Sequence, residues 1–245
     1  MTTDYDPIAE QYQRSKQQPW RTHIESFTLM ELAGDPSGQS VLDVACGEGF
    51  YTRMLRTQGA ARVAGVDLSE GMIELGRKQE AVHGLGIEYS VGDARDLAFK
   101  DEFDLAVAAY LLNYAPDRQE LELMCRGVAR CLKPGGRFVT VNCNPGLDFS
   151  KAPSYRKYGF ETSVVGEFCE GSPITWTFHL ADGSFSIENY HLDIAAHEQC
   201  LRAAEFKQIR WHRPLLSPEG RAEFGEEFWA DFIEHPPAIF LECRK

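Results

Sequence analysis

Val41-Leu42-Asp43-Val44-Ala45-Cys46-Gly47-Glu48-Gly49-Phe50 reads as a buried strand that runs directly into a glycine loop. Two acids follow, Asp67 in Val66-Asp67-Leu68-Ser69 and Asp93 in Val91-Gly92-Asp93-Ala94. Glycines after a strand let a ligand touch the backbone, because no Cβ keeps it away. An acid at the end of the next strand is placed to accept both hydroxyls of a ribose. The stretch therefore predicts a site for a nucleoside-containing cofactor.

Two nucleotide-site readings fail on detail. A phosphate-binding Walker loop needs Gly-Lys-Ser/Thr, which does not occur. The dinucleotide fingerprint needs a third glycine three residues after the second, and that position is Thr52. The loop instead carries Asp43 and Glu48. Two carboxylates repel a pyrophosphate and suit a ligand with an amino group and a sulfonium. Asp43-x-x-x-Gly47-x-Gly49, Asp67, Asp93 and Leu132-Lys133-Pro134-Gly135-Gly136 together resemble the ordered motifs of class I S-adenosylmethionine-dependent methyltransferases. The set covers residues 41–141 and is far more specific than a bare Gly-x-Gly.

Length and composition agree with a globular enzyme. The chain has 245 residues, 43% of them hydrophobic and 25% charged. That length fits one α/β domain with an insertion. The formal net charge is −12, and Lys and Arg are scattered. This argues against a nucleic-acid partner, which draws on clustered basic residues. The seven cysteines are odd in number and include no Cys-x-x-Cys pair, so neither a disulfide framework nor a metal is expected. No apolar run approaches the ~20 residues needed to span a bilayer. The acidic start, Met1-Thr2-Thr3-Asp4-Tyr5-Asp6, does not read as a secretory signal. A cytoplasmic protein with no membrane contact is expected.

Periodicity predicts strands over residues 40–45, 62–67, 87–91, 103–109, 137–142, 208–214 and 238–243. Helices are expected over residues 6–15, 20–33, 50–58, 70–82, 117–132, 194–205 and 219–234. The alternation argues for an α/β fold, a doubly wound, seven-stranded, mostly parallel sheet. Between residues 144 and 192 the pattern breaks into aromatics, Gly, Ser and Pro. Residues 174–180 and 184–190 read as a hairpin turning at Asp182-Gly183, a small antiparallel β insert. Four parts follow. Residues 1–34 form a helical lid, 35–143 the cofactor core, 144–192 an insert over the acceptor site, and 193–245 the rest of the core sheet.

The resemblance implies roles for particular residues. Gly47 and Gly49 would pass under the methionine part of the cofactor, and Asp43 would hold its amino group. Asp67 would bind the ribose; it lies eighteen residues beyond Gly49, near the spacing expected of a ribose acid. Asp93 and the Ala94 amide would meet the adenine, between Leu68 and Met72. Ala109 would offer a carbonyl to the cofactor amine. Tyr12, Ala45 and Glu48 are placed with the same half. Tyr110, Asn113 and Tyr114 lie at the carboxyl end of the fourth strand, where ligands bind in this architecture.

Tyr5-Asp6-x-Ile8-Ala9, Asn113-Tyr114-Ala115 and the aromatic insert are most similar to toxoflavin-type small-molecule N-methyltransferases. On that likeness Tyr5 orients the methyl group or the acceptor. Trp176, Phe178 and Tyr190 suit a planar or aromatic acceptor. His179 and His191 are the available bases for a hydroxyl acceptor, whereas an amine or ring nitrogen needs little base help. The resulting expectation is an S-adenosylmethionine-dependent methyltransferase of a small molecule, with N-methylation preferred over O-methylation. Two alternatives remain open: a non-catalytic protein that senses the cofactor, and a nicotinamide-dependent oxidoreductase.

Overall fold

The computed structural model describes residues 5–245. Met1 to Asp4, most of the acidic start considered above, lie outside the described residues. The central sheet has seven strands in the order β3-β2-β1-β4-β5-β10-β9. They are β1 (Ser40–Val44), β2 (Arg62–Asp67), β3 (Glu88–Val91), β4 (Phe103–Ala109), β5 (Leu132–Cys143), β9 (Lys207–His212) and β10 (Ala238–Arg244). The first five run parallel, and β10 is antiparallel to both β5 and β9. β4 is almost wholly buried, as expected for a strand covered on both faces.

Helices α1 (Ala9–Ser15), α2 (Phe27–Ala33), α3 (Phe50–Thr57) and α4 (Glu70–His83) contribute to one face, with the insert. Helices α5 (Arg118–Cys131) and α6 (Ile194–Ala203) cover the other. Asp117 caps α5 by accepting from the Glu120 amide at 2.9 Å, and Ser69 caps α4 by accepting from Met72 at 3.1 Å. No helix among the described residues is long and apolar enough to cross a membrane.

Several expectations need correction. Residues 21–26 form a π-helical turn, Arg21–Ser26, ahead of α2. β5 starts five residues early and extends through the Lys133-Pro134-Gly135-Gly136 segment. The helix expected over 219–234 is two, α7 (Pro218–Phe224) and α8 (Glu226–Glu234), because Gly225 breaks it at φ +78°. The insert has three strands: β6 (Phe160–Val164), β7 (Pro173–Leu180) and β8 (Gly183–Tyr190). Its turn is Ala181-Asp182, since Leu180 pairs with Gly183. β6 went unforeseen because five residues of alternation inside a Gly- and Ser-rich stretch are a weak local signal.

Ring contacts across and along the strands hold the insert together. Phe160, Trp176, Phe178 and Phe185 stack in sequence, with centroids 5.1, 6.1 and 5.1 Å apart. All four rings are buried.

Candidate functional site

A cavity of about 360 Å³ opens at the carboxyl ends of β1, β2 and β4, where an α/β sheet of this kind takes its ligands. One end is lined by Gly47, Asp67, Leu68, Met72, Asp93 and Ala94. The other is lined by four tyrosines, Tyr5, Tyr12, Tyr110 and Tyr114. Ala45, just past the end of β1, and Ala109, the last residue of β4, also line it.

The first end is built by hydrogen bonds between consecutive motifs. The Gly47 amide donates to Asp67 Oδ2 at 2.7 Å, and the Ser69 amide donates to Asp67 Oδ1 at 2.9 Å. Burial pushes the Asp67 carboxyl up despite these bonds. A ligand presenting hydroxyl donors relieves that cost by stabilising the ionised form. Leu68 is 60% exposed in the cavity wall, and Met72 beside it is buried. Asp93 is already clamped: Arg95 Nε lies 2.9 Å from Oδ1 and 3.0 Å from Oδ2. Arg95 holds the Asp93 carboxyl below its ordinary range, so it stays an acceptor.

The two glycines serve different ends. A Cβ on Gly49 would meet the Tyr89 hydroxyl at 2.0 Å, so that glycine admits a core side chain. A Cβ on Gly47 would meet nothing nearer than Met72 Sδ at 3.9 Å. Gly47 has φ +56° and faces the cavity, leaving its backbone open to a ligand. Ala45 and Tyr110 also have positive φ, +57° and +64°. Both follow a strand end and both line the cavity, and such strain in non-glycine residues concentrates at functional sites.

Asp43 and Glu48 do not reach the cavity wall. Asp43 accepts from Thr52 Oγ1 at 2.6 Å under the loop. Burial pushes its carboxyl up to about 7. Glu48 is buried against Arg53, 2.7 Å away. These acids shape the loop from beneath. Asp6, at the start of the first expected helix, caps α4: its carboxylate accepts from the Ser69 hydroxyl and, at 3.1 Å, from the Gly71 amide. The partial positive charge at the α4 N-terminus favours that contact. Nothing in the sequence near Asp6 signals a partner sixty residues away.

At the tyrosine end, the Tyr5 and Tyr114 hydroxyls are hydrogen-bonded to each other. Burial raises both well above the ordinary phenol range, so both remain neutral. Tyr5 packs edge-on against Tyr12, with centroids 5.2 Å apart.

The remaining expected acceptor residues lie away from this cavity. Trp176 and Phe178 point into the ring stack behind Tyr110, because the alternation of β7 turns that face toward the core. His179 is on the opposite face, 2.9 Å from Glu161 on β6, the strand that went unforeseen. His191 packs on Phe168, and burial lowers its pKa. Tyr190 donates to Glu188 at 2.9 Å. Asn113 is buried beside the cavity, and neither amide atom has a hydrogen-bond partner among the described residues. Glu25 and Arg21, which back the tyrosine end, were not anticipated, since no local motif marks them.

A model of the methyltransferase domain family matches residues 41–136. A ubiquinone/menaquinone biosynthesis C-methyltransferase of Desulfotalea psychrophila is 34% identical over 221 residues, covering 88% of this chain and 83% of the relative. The chain belongs to the class I S-adenosylmethionine-dependent methyltransferases. S-adenosylmethionine is its cofactor. A ubiquinone biosynthesis O-methyltransferase of Bordetella avium is 33% identical over 121 residues, 48% of each chain, so this methyltransferase spans about half of that relative. The S-adenosylmethionine-dependent methyltransferase of Mesorhizobium loti superposes with a TM-score of 0.65 at 22% identity, covering 94% of this chain and all of that one. The [4+2]-cyclase SpnF shares the fold at a TM-score of 0.64 and 16% identity over 98% of this chain and 93% of its own. The fold alone therefore does not assign the reaction.

Proposed function

We propose that the methyltransferase transfers a methyl group to a small planar acceptor held among Tyr5, Tyr12, Tyr110 and Tyr114. S-adenosylmethionine occupies the Gly47–Asp67–Asp93 end in this reading. In this reading the N-terminal part, from Tyr5 to residue 34, covers the cavity, while residues 144–192, expected over the acceptor site, stand behind its wall instead.

One observation carries the reading. Tyr5, Tyr12, Tyr110 and Tyr114 line the cavity, no His or Glu is among its described lining residues, and its three acids are each engaged: Asp6 by Ser69, Asp67 by the Gly47 and Ser69 amides, and Asp93 by Arg95. The bound cofactor supplies an activated methyl group. The protein's task is then to align the acceptor, exclude water and hold the ribose with Asp67. Tyrosine faces fix the plane of a flat acceptor, and the Tyr5–Tyr114 pair can exchange hydrogen bonds with its edge. With no base at hand, a ring nitrogen or amine is favoured over a hydroxyl. His179 and His191 have no part in proton removal in this reading.

The relatives' names, one a C- and the other an O-methyltransferase, favour a second reading, in which the nucleophile is the ring carbon or oxygen of a hydroquinone. Methyl-labelled cofactor with benzimidazole and pterin in one set, and catechol and 1,4-naphthohydroquinone in another, separates the two. Label in the first set supports nitrogen; label only in the second replaces it with the hydroquinone reading. Calorimetry should show micromolar-range binding of S-adenosylhomocysteine and poor binding of nicotinamide dinucleotides. Cofactor binding without product in any set would make the protein a sensor.

A further inference from the structure

Behind the tyrosine end lies a buried ion pair that the chemistry above does not use. Glu25 and Arg21 are each 1% exposed and sit in the π-helical turn Arg21–Ser26. Four donors converge on the Glu25 carboxylate. Arg21 Nη1 lies 2.8 Å from Oε2 and 3.1 Å from Oε1. The Tyr110 hydroxyl donates to Oε2 at 2.7 Å, the Tyr51 hydroxyl donates to Oε1, and Lys16 Nζ lies 3.5 Å away. The Arg21 guanidinium packs over the rings of Tyr12 and Tyr110, 5.5 and 5.6 Å from their centroids. Tyr12 and Tyr110 line the cavity, whereas Tyr51, Arg21 and Glu25 do not.

A buried ion pair is weak evidence for stability, because desolvation offsets much of the attraction. A π turn is rare in helices and recurs at functional sites. Two roles are open to this carboxylate, a proton acceptor relayed through Tyr110 or a fixed anchor for it. Burial pushes the Glu25 carboxyl up, but Arg21, Lys16 and the two phenols bring it below the ordinary range. A carboxylate held that firmly ionised is a poor base at neutral pH. The anchor role also accounts for the Tyr110 backbone, whose left-handed conformation persists only where the surroundings over-determine it. Three contacts do so: the amide donates to Val141 at 2.8 Å, the hydroxyl donates to Glu25, and the ring packs edge-on against Trp176.

We propose that Glu25 is a positioning residue for methyl transfer: through the Tyr110 hydroxyl it holds that ring as the fixed acceptor-side wall of the cavity, while Arg21 braces the Tyr12 and Tyr110 rings together. This rests on the cavity being the cofactor and acceptor chamber. Tyr110 thus presents its ring face to the acceptor, with its hydroxyl turned away into the protein.

Glu25→Gln would strand the Arg21 charge and lower the melting temperature steeply, so the test uses the phenols instead. Tyr110→Phe and Tyr51→Phe each remove one bond to the same carboxylate, and only the first touches the cavity wall. The readouts are acceptor KM and kcat with the panel member that the wild type methylates fastest, and S-adenosylhomocysteine affinity by calorimetry. Tyr110→Phe is expected to raise acceptor KM at least fivefold, with cofactor-product affinity within twofold of wild type. Tyr51→Phe is expected to change both by less than twofold. Equal kinetic behaviour of the two variants would make the cluster purely structural and overturn the proposal. A wild type that binds no S-adenosylhomocysteine, or methylates no panel member, would overturn the chamber reading and this inference with it.

Discussion

The Gly47 amide points at the Asp67 carboxylate across 2.7 Å, joining the glycine loop after β1 to the end of β2. This bond turns two sequence motifs into one site. It orients the carboxylate while leaving it capacity to accept from a ribose.

Asp67→Ala should weaken S-adenosylhomocysteine binding far more than Asp67→Glu. Bonds to a charged group contribute about 1.5–3 kcal/mol, so at least a tenfold loss is expected from the alanine. Calorimetry on both variants checks this. Wild-type affinity in Asp67→Ala would remove the acid from the ribose site.

The two glycines should fail in different ways. Gly49→Ala forces a methyl group against Tyr89 at φ +85° and should destabilise the fold by about 1–3 kcal/mol. A smaller residue at position 89 should restore part of that loss. Gly47→Ala meets no such clash, so backbone strain of about 1–2 kcal/mol should dominate its stability effect. Its larger effect should be on cofactor affinity. Chemical denaturation beside calorimetry separates the two outcomes.

Asp43 makes a pH prediction. Its folded pKa of about 7 lies above the ordinary 3.8. A raised folded value means that the stabilising contribution is complete below the unfolded pKa and is lost as pH rises through the folded one. The unliganded enzyme should therefore lose stability at this residue between about pH 4 and 7, by up to about 4 kcal/mol in all. Burial lowers the pKa of His197, which acts in the opposite direction toward acid. The measurement is accordingly the difference in melting temperature between wild type and Asp43→Asn across that range. A constant difference would remove Asp43 as the source.

Trp176→Ala should act on stability. The ring sits in a buried stack, and such truncations cost about 3–5 kcal/mol. His179→Ala breaks a half-exposed contact with Glu161 and should leave turnover within twofold of wild type. A large loss of turnover in His179→Ala at unchanged melting temperature would bring the insert back into the acceptor site.

The glycine-loop end of the cavity was legible in the sequence because it is local. A buried strand, its glycine loop and the acid closing the next strand are consecutive, and the order of β1 to β5 follows from alternation and the handedness of crossovers. Asp67, Leu68, Met72, Asp93 and Ala94 could be named for that reason. What only the tertiary structure decided is which side chains face the cavity and which lie beneath it. Asp43 and Glu48 looked like ligand contacts, yet both turn under the loop to Thr52 and Arg53. The tyrosine end joins Tyr5 and Tyr12 to Tyr110 and Tyr114, and the Tyr5–Tyr114 bond spans 109 positions of chain. The Glu25–Tyr110 bond that backs it spans 85. No local period carries such pairings. They exist because an N-terminal segment packs across the carboxyl edge of the sheet, where burial makes an unpaired carboxylate or phenol costly and so selects its partner.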